Sequence, residues 1–354
     1  MPIFDQGYQH WSGQLSGHAW RWLAITRRGV KTALQGRFVR LAILASWLPA
    51  LMLAFVLCMW GLVERQSDLV ETFKPFLTSL LGRPVILGPR EYRIDIWTLC
   101  FHYFLSWELG FVMVLVLLVG PNLVSQDLRY NALPLYFSRP LRRVDYFLGK
   151  LGVIAALLGL SVIGPALVAF VLGLLFSLDL TIFRDTVPIV MGAMVYGLVV
   201  AVSAGLLMLA LSSLSRNSRY VALLWLGVWI LTSTVSLVLM SVDQHHRMRE
   251  VGARSRAWSN EQFLTAELEA AKTDWRPLVS YTSNLRRIEE RLLNTNAAWQ
   301  RINDLAPTPR RMPFVSQMID TQYPWYWSAF VLLGLAVISA CTLQLTVKSL
   351  DRLK

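Results

Sequence analysis

Leu41–Val63 reads LAILASWLPALMLAFVLCMWGLV, an unbroken apolar stretch without a single charge. A helix crossing the hydrocarbon layer of a bilayer needs about 20 such residues. Backbone polar groups find no water there, so an α-helix is the economical way to satisfy them. Working outward, the same reading applies to Ile96–Gln126, broken only by Glu108, and to Leu151–Leu178, Thr186–Ser215, Tyr220–Val242 and Thr321–Val347. The spacing predicts an all-α integral membrane protein with six transmembrane helices.

Composition agrees. Of the 354 residues, 55% are apolar and 16% charged, against roughly 25% charged in a soluble domain. The net charge of +12 sits between the apolar runs. It therefore reads as topological charge, and no basic patch interleaved with aromatics points to nucleic acid. Cys58, Cys100 and Cys341 lie in or beside apolar runs, which argues against a disulfide framework or a metal site. The first apolar run follows a long basic lead, so it reads as an uncleaved helix rather than a secretory signal.

Lys and Arg in short links set orientation. They cluster in the lead (Arg21, Arg27, Arg28, Lys31, Arg37, Arg40), in the link after the second span (Arg129, Arg139, Arg142, Arg143, Lys150), in Arg216 and Arg219, and in the tail (Lys348, Arg352, Lys354). With six spans all four segments share one side. The expectation is a plasma (inner) membrane protein with both termini cytoplasmic.

Four regions follow. Residues 1–37 form a cytoplasmic N-terminus, in which Trp20–Leu34 is a basic amphipathic helix suited to the headgroup plane. Residues 38–242 hold the first five spans, an outer loop at 64–95 and a cytoplasmic link at 125–147. Residues 243–324 form a helical extracytoplasmic insertion, with a capping box at Ser259–Gln262, a second helix capped by Ser283, and Ala306–Pro309 ending it. Residues 325–354 form the sixth span and tail, entered through an aromatic anchor at Tyr323–Trp327.

The link reads SQDLRYNALPLYFSRPLRRVDYFLGK from Ser125 to Lys150. It mixes charges with apolar anchors and is broken by Pro134 and Pro140. A mere turn needs fewer residues. Apolar anchors with charges that set register suit docking on a cytoplasmic partner, and a solvated turn is the competing reading. Asp127, Ala132–Leu135, Ser138-Arg-Pro-Leu141, Arg142-Arg143 and Gly149-Lys150 resemble the segment after the second span in permease subunits of type-2 ABC exporters. The amphipathic lead, the six spans and Asn284-Leu285-Arg286 before the last span extend the likeness. It implies two permease subunits, as a homo- or heterodimer, working with cytoplasmic ABC ATPase subunits. Asp127, Arg129, Tyr130, Leu135, Ser138, Arg139, Pro140, Leu141 and Arg142 would then form the coupling element. ATP and Mg would be bound by the partner, with no cofactor in this chain.

The chain itself has no GxxxxGK[ST] phosphate loop. Ser12–Gly17 superficially resembles an ABC signature but stands alone, without a nucleotide-binding fold. No HExxH or GxSxG occurs, and the adjacent His245 and His246 diverge. The chain reads as a non-enzyme without a metal site.

Glu108 is the translocation candidate, since an ionised carboxylate at mid-bilayer costs about 3 kcal/mol and turns to the bundle interior; it reads either as a substrate or proton contact in a translocation path or as a structural hydrogen bond to a neighbouring helix. Six residues away, His102 is off its helical face and reads as an interfacial or packing residue. Ala193, Gly197, Ala201 and Gly205 recur every four residues, a row for close helix packing or a dimer interface; Gly159 and Gly164 suit the same task. A second functional reading is a membrane scaffold or assembly factor binding an extracytoplasmic partner through 243–324.

Overall fold

The computed structural model describes residues 20–65, 88–133, 136, 141–177, 180–254, 273–305, 319 and 322–351. Among these there is no strand, only an isolated bridge between Asp274 and Gln322. Six helices are long and apolar enough to cross a membrane: Arg37–Glu64, Arg93–Arg129, Arg143–Ser177, Thr181–Leu214, Ser218–Asp243 and Trp325–Thr346. The three cysteines are free thiols on the first, second and sixth of these.

Helix α1 (Arg21–Leu34) precedes α2 (Arg37–Glu64), the first span. The second span is α3 (Arg93–Val119) continued by α4 (Pro121–Arg129). The third is α5 (Arg143–Leu158), a π-helical turn at Gly159–Ile163, and α6 (Gly164–Ser177). Gly159 opens that turn and Gly164 follows it; a Cβ at Gly159 would meet nothing within 4 Å, and one at Gly164 only Gly159 O at 3.6 Å, so neither lines a contact with another helix. The fourth span is α7 (Leu180–Leu214). The fifth is α8 (Ser218–Leu226), a π-helical turn at Gly227–Leu231, and α9 (Thr232–Arg254), which runs beyond the apolar stretch. Helices α10 (Tyr281–Leu293) and α11 (Thr295–Leu305) come before α12 (Trp325–Asp351), the sixth span.

Helix α7 is the hub, packing against α3, α4, α5, α10 and α12. The second, third and fourth spans are more than half buried, whereas the fifth and sixth are 17% buried over their apolar windows. The periphery is therefore apolar and outward-facing, as lipid contact requires.

Two polar clusters pin the bundle ends. At one end the Glu64 carboxylate accepts from Arg93 Nε at 2.9 Å and Nη2 at 2.8 Å, from Trp60 Nε1 at 2.7 Å and from Ser177 Oγ at 3.2 Å. Arg93 Nη1 also reaches Thr181 Oγ1 at 3.1 Å and Asp185 Oδ2 at 3.3 Å. Four spans meet in this cluster. Both Arg93 and Glu64 side chains are 3% exposed, and a buried ion pair is tolerable only when its remaining donors and acceptors are satisfied, as here.

Residues 273–305 do not stand apart from the spans. The expected second helix of the insertion is α10, capped by Ser280, whose hydroxyl accepts from Ser283 N. Tyr281 OH pairs with Ser203 Oγ at 2.9 Å, and the Tyr281 ring meets Trp225 edge-on. Ser203 lies 18 residues past Asp185 on α7, about 27 Å along the axis at about 1.5 Å per residue. The start of α10 is thus deep in the bundle. Non-helical backbone at that depth must be satisfied by protein. Asn284 Nδ2 does this, donating to Leu278 O at 2.7 Å and Ser280 O at 2.8 Å. The sequence positions Ser259–Gln262, Ala306–Pro309, the loop at 66–87 and Ser12–Gly17 lie outside the described residues.

Candidate coupling site at the basic end of the bundle

The link after the second span starts where α3 gives way to α4. Gly120 allows the close approach of α7 here, because a Cβ would strike Met208. Pro121 then occupies the first position of α4, where a missing N–H costs least. The donors loosened by this break go to a neighbour: Ser212 Oγ on α7 accepts from Val124 N at 3.1 Å and Ser125 N at 3.0 Å, and donates to Pro121 O at 3.0 Å. Ser125 Oγ contacts Ser218 Oγ at 2.9 Å, at the start of α8. Three spans share one hydroxyl network.

One turn further, Asp127 Oδ2 accepts from Tyr146 OH at 2.6 Å and from Lys150 Nζ at 2.7 Å, both on α5. The two ends of the link are thereby clamped together. Tyr136 lies on the Tyr146 ring at 5.3 Å between centroids. Burial and the Asp127 carboxylate push the Tyr136 phenol above its ordinary pKa, so it stays protonated at neutral pH. Arg142 N donates to Asp145 Oδ2 at 3.1 Å, which starts α5. Leu141 packs against the core, while Arg129, Tyr130 and Arg142 are exposed, Arg129 over the Tyr130 ring at 5.7 Å. Leu135, Ser138, Arg139 and Pro140 lie outside the described residues.

The Gly149-Lys150 pair has a visible physical reason. A Cβ on Gly149 would stand 2.7 Å from Ile25 Cβ and 3.0 Å from Trp22 O, so α1 can dock on α5 only over a glycine. Thr26 Oγ1 donates to Gly149 O at 3.0 Å across the same contact. Lys150, one residue on, holds Asp127.

Glu108 is buried, facing inward among α3, α5 and α7, and neither carboxylate oxygen has a hydrogen-bond partner among the described residues. Beside it is a void of about 10 Å³ bordered by Leu158, Val162, Tyr196 and Gly197, near the minimum for one water. His102 indeed turns elsewhere: its Nδ1 meets Glu289 Oε1 of α10 at 2.9 Å. Glu289 is 1% exposed. Sequence reasoning placed its helix in an outer insertion and so passed over it; its available signal was its position four residues from both Leu285 and Leu293, on the face they share. Ser125, Ser212, Ser218 and Tyr146 were also not singled out as site residues.

Ala193 and Ala201 are buried, and Gly197 and Gly205 face the third span. A Cβ on Gly197 would come 3.3 Å from Ile163 Cγ1, and one on Gly205 would strike Leu151 Cδ1. These two glycines serve packing within the chain.

Six apolar spanning helices around a polar-pinned bundle define a multi-pass α-helical membrane protein. No protein-family model matches the chain, and no curated protein matches its sequence.

Proposed function

We propose that the chain is the membrane-spanning permease subunit of an ABC exporter in the plasma membrane, with both termini cytoplasmic. ATP hydrolysis by a separate cytoplasmic subunit would drive substrate movement through it. The observation that carries this reading is the clamp at Asp127. A push on the link reaches the second span through α4 and the third through Tyr146 and Lys150. The serine network passes it to the fourth and fifth. A solvated turn would need none of these bonds. The exposed Arg129, Tyr130 and Arg142 belong to the face offered to the ATPase.

Glu108 supports a path through the bundle, since its carboxylate points to the interior and is spent on no internal bond among the described residues. The outward faces of the fifth and sixth spans are where a second permease subunit packs. Residues 273–305 are built into the spans, which favours a moving part of a transporter over a free-standing outer docking domain.

Cysteine cross-linking tests the reading. In a background with Cys58, Cys100 and Cys341 replaced, Arg142→Cys should cross-link to an ABC ATPase in native membranes, and Arg65→Cys at the other end should not. Cross-linking from Arg65→Cys alone would overturn both the orientation and the docking face.

A further inference from the structure

We propose that the groove between α1 and the basic end of the second span holds one anionic glycerophospholipid from the leaflet on that side. Helix α1 is fixed on one face, by its contact over Gly149 and by Gly29 against Val153 of α5. The adjoining face of α1, with Ile25 and Gly29 at the shared edge, looks across a cavity of about 870 Å³ to Leu118, Asn122 and Leu123. That volume lies within the range of about 300–1,000 Å³ that small-ligand pockets occupy.

The occupant follows from chemistry and position. Arg21 and Arg28 both line the cavity, and their spacing of seven residues puts them on one helix face. Ala24 lies between them and leaves room for a headgroup. Asp127, the carboxylate that lines the space among the described residues, is engaged by Lys150 at 2.7 Å and so is offset against an incoming anion. The opposite wall and the base of the first span supply Leu118, Leu123 and Val39 for acyl chains. Val39 is the third residue of α2, so the cavity straddles the level at which the chain enters the apolar layer. A molecule anionic at one end and aliphatic at the other matches this division. Basic pockets between transmembrane helices recognise anionic headgroups on the same grounds. The inference needs the membrane reading but not the transporter one.

Native mass spectrometry of the full chain in mild detergent tests it, with phosphatidylglycerol and phosphatidylcholine titrated separately. The wild type should retain one phosphatidylglycerol per chain. Arg21→Glu with Arg28→Glu should weaken retention by about thirtyfold. Leu123→Trp, which fills the cavity and leaves every charge, should weaken it as well. Ala24→Trp fills the space from the α1 side, should any other variant fail to elute as a folded species. Equal retention of phosphatidylcholine overturns the proposal. So does wild-type retention by the cavity-filling variants, which would mean adsorption to a basic surface.

Discussion

Among single residues, Arg93 has the largest structural consequence. It is 2% exposed and bonded to Glu64, Thr181 and Asp185. Arg93→Ala leaves Glu64 as a buried charge without its counter-ion, and breaking such a pair from one side costs about 3–5 kcal/mol. Thermal unfolding in detergent should show a lower midpoint for Arg93→Ala, and Arg93→Ala with Glu64→Gln should recover part of the loss. Recovery absent in the double variant would mean that the four spans are held by something else. Glu108 behaves oppositely. Because its oxygens have no partner among the described residues, Glu108→Gln removes no internal bond. The expected outcome is unchanged unfolding and assembly with altered transport. Collapse of assembly would make Glu108 a structural residue.

Between elements, the α1–α5 contact and the insertion of α10 are the joints that matter. Gly149→Val drives a side chain into Ile25 and the Trp22 carbonyl. Overpacking of this kind costs about 1–3 kcal/mol. The helix should lift, seen as faster proteolysis near Arg27 and Arg28; an unaltered cleavage rate would contradict the clamp. At the other joint, Tyr281→Phe deletes the bond to Ser203 and should cost about 1 kcal/mol, while Ser203→Ala adds little on top. Additive losses in a double-variant cycle would show that the two groups do not interact. The spans were legible because apolar runs report directly on the solvent they meet, and α1 was legible as a helix, whereas the face it docks on α5, through Ile25 and Thr26, was not. Other features depend on distant partners and leave no local pattern. The pairing of His102 with Glu289 across 187 residues is one; the cap of α10 at Ser280 rather than Ser283 is instead a local displacement of three residues. Asp127 stood out in the link, but Tyr146 and Ser212 carry no motif, since a tyrosine or serine in an apolar helix reads as packing until its partner is seen.

Over the whole molecule, the proposed function makes the bundle a lever. The link is joined to the second to fifth spans through Asp127 and Ser125, and the four spans of the Glu64–Arg93 cluster are tied together at the far end. Under that proposal, movement at the link tilts helices about a fixed end instead of sliding them apart. Arg139→Glu, with or without Asp127→Ala, should weaken association with the ATPase while the chain still elutes as a folded membrane protein. Wild-type association by both variants would remove the link from the interface. The most direct test is affinity purification of the tagged chain in mild detergent followed by mass spectrometry. The proposed permease role predicts recovery of an ABC ATPase in a one-to-one ratio with the chain. Recovery of extracytoplasmic partners without any ATPase would contradict it.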